Sequence, residues 1–264
     1  WSQQVLVDNR PGGGTVIGSD MVAKSAPDGH TLLLTANTHS TNPALHAKLP
    51  YDTLRDFAGI TQIAAAPMLL TTHPALPARN VRELIALAKA KPGELSFGTS
   101  GNAGPQHLAG ELFKTTAGIG MVHVPYKGSA PAITDLIAGQ TQLTFGSTFT
   151  VLPHAAGGRL RALAVTTAKR VPALQLPTIA EDGLPGYEAT TWYGIFTVAA
   201  TPAAVISKLN ADIARALRQP DVADRLARDG SDAVASEPAA FDAFVRNEIE
   251  KVRRIVKAAQ MRLD

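Results

Sequence analysis

The chain has 264 residues, 45% hydrophobic and 5% aromatic, with 25 Lys and Arg against 22 Asp and Glu and no cysteine. That length supports one large domain or two ordinary ones with a substantial core, and the lack of cysteine excludes disulfides, thiolate metal sites and a cysteine nucleophile. No apolar run reaches the roughly 20 residues that span a bilayer, and the cations, net +3, are mixed with acids along helices and form no stripe suited to nucleic acid.

Short β-branched runs alternate with helical periods, the pattern of an α/β protein with mostly parallel sheets. The spacing predicts strands over residues 5–7, 30–35, 60–63, 68–72, 95–98, 121–124, 142–145, 160–166 and 192–198. Between them, Asn80 and Glu83 form a capping box ahead of the stripe Val81, Leu84, Ile85 and Ala88, which Lys91-Pro92-Gly93 ends. Ser129 is the expected cap of a helix carrying Ile133, Leu136 and Ile137. Thr201-Pro202 opens another, with Val205, Ile206, Leu209, Ile213 and Leu217 on one face and a stop at Gln219-Pro220. The last follows Pro238 and repeats Phe241, Phe244, Val245, Ile249, Val252 and Val256. No repeat or flexible linker marks a head-to-tail pair of domains, so two domains would be joined by more than one crossing.

Three turns place glycine and small hydroxyl residues where a strand hands over to a helix: Asn9-Arg10-Pro11-Gly12-Gly13-Gly14-Thr15, the run from Gly98 to His107, and Pro125-Tyr126-Lys127-Gly128-Ser129. Such turns either serve only as tight corners or leave backbone N–H groups free to bind an anion at a helix N-terminus. A fourth polar run, Thr35 to Pro43, ends an apolar strand and offers either ligand donors or caps for a short helix starting near Pro43.

Enzymatic signatures fit poorly. The glycines at 12–18 lack dinucleotide spacing and no P-loop is present. Gly98-Thr99-Ser100-Gly101-Asn102 approaches the nucleophile elbow but carries Asn102 where glycine is required, and His107 is more readily a structural donor than a base. The seven histidines show no zinc spacing.

The ordered segments Asp8-Asn9-Arg10-Pro11-Gly12-Gly13-Gly14, Lys24-Ser25-Ala26-Pro27-Asp28-Gly29-His30, Leu49-Pro50-Tyr51-Asp52, Phe97-Gly98-Thr99-Ser100-Gly101, Gln106-His107-Leu108-Ala109-Gly110-Glu111 and His123-Val124-Pro125-Tyr126-Lys127-Gly128 resemble the Bug family, the extracytoplasmic solute-binding receptors of tripartite tricarboxylate transporters. The likeness continues through Leu152-Pro153-His154, the run from Arg161 to Thr166 and the run from Gly183 to Glu188. It implies an α/β, two-lobed periplasmic-binding-protein-like fold of type II, a Venus flytrap, with lobe 1 at 1–66 and 192–264 and lobe 2 at 67–191. It also implies a monomeric periplasmic receptor without catalysis, cofactor or metal, which closes on a small organic acid and presents it to membrane transporter subunits or, in some relatives, to a sensor kinase. The alternatives are a hydrolase or transferase on a similar two-lobed scaffold, or a receptor used only for signalling.

On that likeness the ligand contacts are Thr38, His39 and Ser40 from lobe 1. Lobe 2 contributes Thr99, Ser100, Gly101, Asn102, Ala103 and Gly104, together with His107, Lys127, Gly128 and Ser147. Two departures from the family pattern stand out. Family chains carry a further strand, loop and helix ahead of the segment matching Val5 to Arg10, so the natural protein is expected to be longer. Gly146 replaces a common aspartate, which favours a plain carboxylic acid over an amino acid.

Overall fold

The computed structural model describes residues 3–10, 13–46, 48–228 and 230–259. Its organising element is one long strand, β2 (Phe57–Thr72), of 16 residues. Two strands separated at Ala64-Ala65-Ala66-Pro67 are expected from the sequence, yet the extended backbone continues unbroken through Pro67, because that is where the strand changes partners. Residues Phe57 to Pro67 pair antiparallel with β7 (Thr190–Val198), and Met68 to Thr72 pair antiparallel with β5 (Leu143–Ser147), while Leu69 to Thr72 also pair with β6 (Arg161–Val165). Proline removes a ladder donor, and here it falls at the exchange between ladders.

The two halves of β2 therefore belong to two sheets. In the first, β1 (Leu33–Ala36) pairs with β7, and the short β8 (Asp232–Ala233) pairs with Ala64 and Ala65 of β2. In the second, β3 (Ser96–Thr99) lies parallel to both β5 and β4 (Val122–Pro125). The expectation of mostly parallel sheets is thus corrected. Ladders made by the crossing strands β2 and β7 are antiparallel, since one runs out from the first sheet and the other runs back, and among the described strands only the β3–β4 and β3–β5 ladders are parallel. The expected strand over 5–7 does not form. Val5, Leu6 and Val7 are 63%, 79% and 82% exposed and pair with no strand among the described residues.

Each sheet has its own core. Alternation along β2 sends Met68 and Leu70 to one face of the second sheet, with Phe97, Phe113, Phe145 and Tyr187, and Leu69 to the other, with Ile133, Leu136 and Val151. The first sheet buries Leu33, Phe57, Trp192 and Phe196 against Phe241, Val245 and Ile249 of α9 (Pro238–Ala258). A third contact crosses between the two sheets, where Leu108 of α4 (Pro105–Ala117) meets Val252 and Ile255 of α9.

The local signals explain most helices. Asn80 caps α3 (Val81–Ala90) by accepting from Glu83 N–H at 2.8 Å, and Glu83 reaches back to Arg79 N–H at 2.7 Å. In α5 (Ser129–Ile137) the cap is Gly128 and Ser129 is already helical, one residue off expectation. The helix α7 (Ala203–Leu217) stops where expected, but Pro220 then opens α8 (Pro220–Arg228) at the position that favours proline. The helix near Pro43 begins earlier than the sequence suggests, as α2 (Thr38–Leu45), with Pro43 inside it. The donor that Pro43 lacks leaves the His39 carbonyl without its helical partner, and the Thr53 hydroxyl donates to it instead at 3.5 Å.

Candidate functional site

Parallel strands β3, β4 and β5 end side by side at Thr99, Pro125 and Ser147, and each runs straight into a helix: α4, α5 and α6 (Thr148–Ala156). Three helix N-termini, with their unpaired N–H groups and positive dipole ends, are thereby delivered to one edge of the second sheet. Gly104 precedes Pro105 at the start of α4, and Gly128, at φ 111°, precedes Ser129 at the start of α5. Lys127 is exposed beside that second terminus and makes no ion pair among the described residues.

The turn 99–104 is tied down internally. Ser100 N–H donates to Gln106 Oε1 at 2.7 Å, Ala103 N–H donates to His107 Nδ1 at 3.0 Å, and Thr99 Oγ1 donates to Gly101 O at 2.8 Å. Outside strands, Tyr126 N–H and Gly128 N–H donate to the carbonyls of Thr99 and Ser100. This corrects one expectation: the N–H groups of Ser100 and Ala103 are occupied by side chains and are not free for a ligand. Among the described residues, the N–H groups without an acceptor here are those of Asn102, Gly104, Gln106 and His107, the last two at the helix start, with the Ser100 hydroxyl beside them. Ser147 stands at the N-cap position of α6 without a side-chain capping bond, its hydroxyl 2.9 Å from Thr150 Oγ1.

His107 does not pair with Ser100. Its Nδ1 is taken by Ala103 and its Nε2 lies 3.7 Å from Glu111 Oε1, so His107 and Ser100 do not form a nucleophile–base pair. Burial, then the neighbouring His123 and Lys114, lowers the His107 pKa to about 3, and burial and Lys114 lower that of His123 to about 4. Glu111 does not offset this because Lys114 already neutralises it, at 2.7 and 2.9 Å.

On the first sheet, β1 runs through Asn37 into α2. Asn37 is the joint: its Nδ2 donates to Thr190 O at 2.9 Å, its Oδ1 accepts from Trp192 N–H at 2.9 Å, and its carbonyl accepts from the N–H and hydroxyl groups of Ser40 and Thr41. Of the three residues expected here, only Thr38 keeps an accessible side chain, and its Oγ1 accepts from Thr15 Oγ1 at 3.2 Å. The His39 ring turns into the core, 4.4 Å from the Phe196 ring and 4.8 Å from that of Phe57. Both its nitrogens lack a partner and burial lowers its pKa to about 3. Ser40 Oγ is closed onto Asn37 O at 2.9 Å. What the start of α2 can still offer is main chain: the N–H groups of Thr38 and His39 have no acceptor among the described residues.

Of the first glycine turn, Pro11 and Gly12 lie outside the described residues, and Gly14 O accepts from Asn42 Nδ2 at 3.0 Å, which sets that turn against α2. Asn37, just ahead of α2, and Thr41 within it line one cavity of about 30 Å³ with Pro105 and Leu108 of α4, Thr190 of β7 and Val252 of α9, so the first turns of α2 and α4 border the same cavity. A larger hollow of about 470 Å³ lies at the far end of α2, by His46, Arg55 and Arg253. Thr15, Asn37, Gln106 and His123 are absent from the sequence-derived site; each lies inside a turn or motif that the sequence singles out, but their roles depend on long-range partners. Among the described residues no group of three or more His, Asp or Glu is placed to hold a metal.

Comparison with known proteins agrees with this geometry. Residues 1–261 match the model of the family described as the tripartite tricarboxylate transporter family receptor. The chain is 35% identical to the protein BugT of Bordetella pertussis over 266 residues, covering 99% of this chain and 81% of that one. Among solved structures it is similar to R. palustris Rpa4515 with adipate, at 36% identity and a TM-score of 0.84, over 98% of this chain and 88% of that one. It is also similar to MatC from Rhodopseudomonas palustris with bound malate, at 28% identity and a TM-score of 0.77, over 93% and 85% of the two chains. The two-sheet fold and the match along nearly the whole sequence place this chain in the tripartite tricarboxylate transporter receptor family.

Proposed function

We propose that the chain is a periplasmic, non-catalytic, monomeric receptor that closes two lobes on a small organic acid carrying at least one ionised carboxylate and hands it to the membrane subunits of a tripartite transporter. The lobes are 1–66 with 192–264 and 67–191, a division supported by the exchange of β2 from β7 to β5 and β6 between Pro67 and Met68. The observation that carries the reading is the pair of helix starts bordering one cavity, α2 from the first sheet and α4 from the second, with N–H groups that have no acceptor among the described residues. The adipate and malate bound to similar proteins support the choice of ligand class.

The contacts assigned to the acid are the N–H groups of Thr38, His39, Gln106 and His107, with Asn102, Gly104, Gly128, Lys127, Ser100 and Ser147 around them. Hydrogen bonds to a charged group contribute about 1.5–3 kcal/mol each, so four provide a gross ~6–12 kcal/mol, which after closure and desolvation is compatible with the ~8 kcal/mol of a micromolar Kd. Gly146 supports a plain acid: a Cβ there would come within 2.3 Å of Val151 Cγ1, so no carboxylate stands at that position to receive an ammonium group.

The reading is tested by thermal shift and calorimetry with adipate, malate, succinate, benzoate and aspartate. A carboxylate at 100 times its Kd should stabilise the protein by about 2.7 kcal/mol, a rise of roughly 5–10 °C at this size. Aspartate as the sole binder, or turnover of ester substrates, contradicts it.

A further inference from the structure

Behind the 99–104 turn, two histidines from different elements stack face to face, His107 of α4 and His123 of β4, with ring centroids 3.6 Å apart and planes 12° from parallel. The His123 ring rests 5.0 Å from that of Phe97. Phe97 is itself pressed on α4, where Gly110 leaves room that a Cβ would close to 2.2 Å from the ring. The pair is thus seated on a rigid floor. Each ring reaches a different end of the turn: His123 Nε2 lies 2.7 Å from Thr99 Oγ1, and His107 Nδ1 accepts from Ala103 N–H at 3.0 Å.

Proton counting fixes the tautomers. Gly101 O can only accept, so the single hydroxyl proton of Thr99 goes to it, and His123 must supply an Nε2–H to Thr99 Oγ1. His107 Nδ1 is an acceptor, so its proton also sits on Nε2, directed toward Glu111 Oε1 3.7 Å away. The ionisable groups around the pair are Glu111 and Lys114, already joined to each other. Two neutral rings at this separation are compatible with one another, whereas two imidazolium ions are not.

The turn needs such support because its backbone is not one that the chain adopts unaided. Ala103 sits at φ +60° and Gly101 at φ +150°, and the left-handed region costs a residue with a Cβ about 1–2 kcal/mol. We propose that the stacked His107–His123 pair is a positioning element for ligand capture: with both rings as Nε2–H tautomers, it holds the 99–104 turn in its bent form from both ends, so that the start of α4 is presented to the acid already in place. Preorganisation of this kind raises affinity without adding a contact to the ligand. The affinity consequence rests on the proposed function; the bracing itself does not.

The experiment compares wild type with His107→Leu, His107→Asn, His123→Leu and His123→Gln. In ligand-free protein, long-range nitrogen-15 correlation spectra should report Nε2–H for both rings, and amide exchange at Ala103 should accelerate about 10-fold in His107→Leu. Adipate affinity should fall about 10-fold in both leucine variants, the ~1.4 kcal/mol of one lost hydrogen bond. His107→Asn, which restores an acceptor near Nδ1, and His123→Gln, which restores a donor near Nε2, should recover to within about 3-fold. An Nδ1–H tautomer in either ring, unchanged Ala103 exchange in His107→Leu, or leucine variants that bind as tightly as wild type would overturn the proposal. If wild type binds no acid at all, the functional reading fails while the tautomers and Ala103 exchange still decide the bracing.

Discussion

Replacing Asn37 by leucine should lower the unfolding free energy by about 2–4 kcal/mol, read as a shift of the urea midpoint at unchanged slope. The side chain occupies the joint between β1, α2 and the crossing strand β7, where its amide satisfies Trp192 N–H and Thr190 O, each at 2.9 Å. Leucine keeps the γ-branched outline but is bulkier, so some overpacking adds to the loss of the polar contacts. One buried and one half-buried backbone group lose these partners, at about 1–3 kcal/mol each where water cannot replace them. Asn37→Asp keeps the acceptor for Trp192 N–H but not the donor to Thr190 O, and should destabilise as well, since it sets a carboxylate against a carbonyl. Because α2 carries the open Thr38 and His39 N–H groups, the leucine variant should also bind carboxylates more weakly. Loss of stability below 0.5 kcal/mol would show that water replaces the side chain and that the joint is wet.

Acid should unfold the protein earlier than its carboxylates alone dictate, and His39 should account for a large share of the difference. Its folded pKa is about 3, against about 6.5 unfolded, because the ring is buried without a partner for either nitrogen. Between those values the unfolded chain binds a proton that the folded chain refuses, so stability is fully present above pH 6.5 and falls as pH drops, by about 1.4 kcal/mol per unit and ~3–5 kcal/mol by pH 3. His107 and His123 act in the same direction. His39→Leu removes one of these contributions along with two unpaired nitrogens, and should be about 1 kcal/mol more stable than wild type at pH 7.5. The gap should widen on acidification. Parallel stability curves for wild type and His39→Leu between pH 7 and 4 would contradict the burial of a neutral ring.

What the sequence makes legible is what short-range rules govern. The Asn80–Glu83 box and the apolar stripes of α7 and α9 are read directly, and so are the strand-to-helix turns at 98–107 and 125–129, because glycine, hydroxyl and proline positions act within a few residues. The continuity of β2 is not, since Pro67 is tolerated only because ladder partners change there. Nor is the start of α2 at Thr38, which depends on Asn37 bonding to β7 some 153 and 155 residues away. The candidate site shows the same limit. The turn that faces the ligand is visible in Gly98 to Gly104, but which of its N–H groups are free is decided by Gln106 and His107 folding back on it. His39 looks like a ligand donor in a polar run until the aromatic neighbours Phe57 and Phe196 take its ring. Val5 to Val7 has strand composition without a ladder among the described residues, and composition alone does not make a strand.

A crystal structure with adipate bound is the most direct measurement. One carboxylate should lie roughly 2.7–2.9 Å from the N–H groups of Gln106 and His107, with the start of α2 closing on the acid from the opposite lobe. Adipate seated instead in the hollow beside Arg55 and Arg253, with nothing held between α2 and α4, would contradict it.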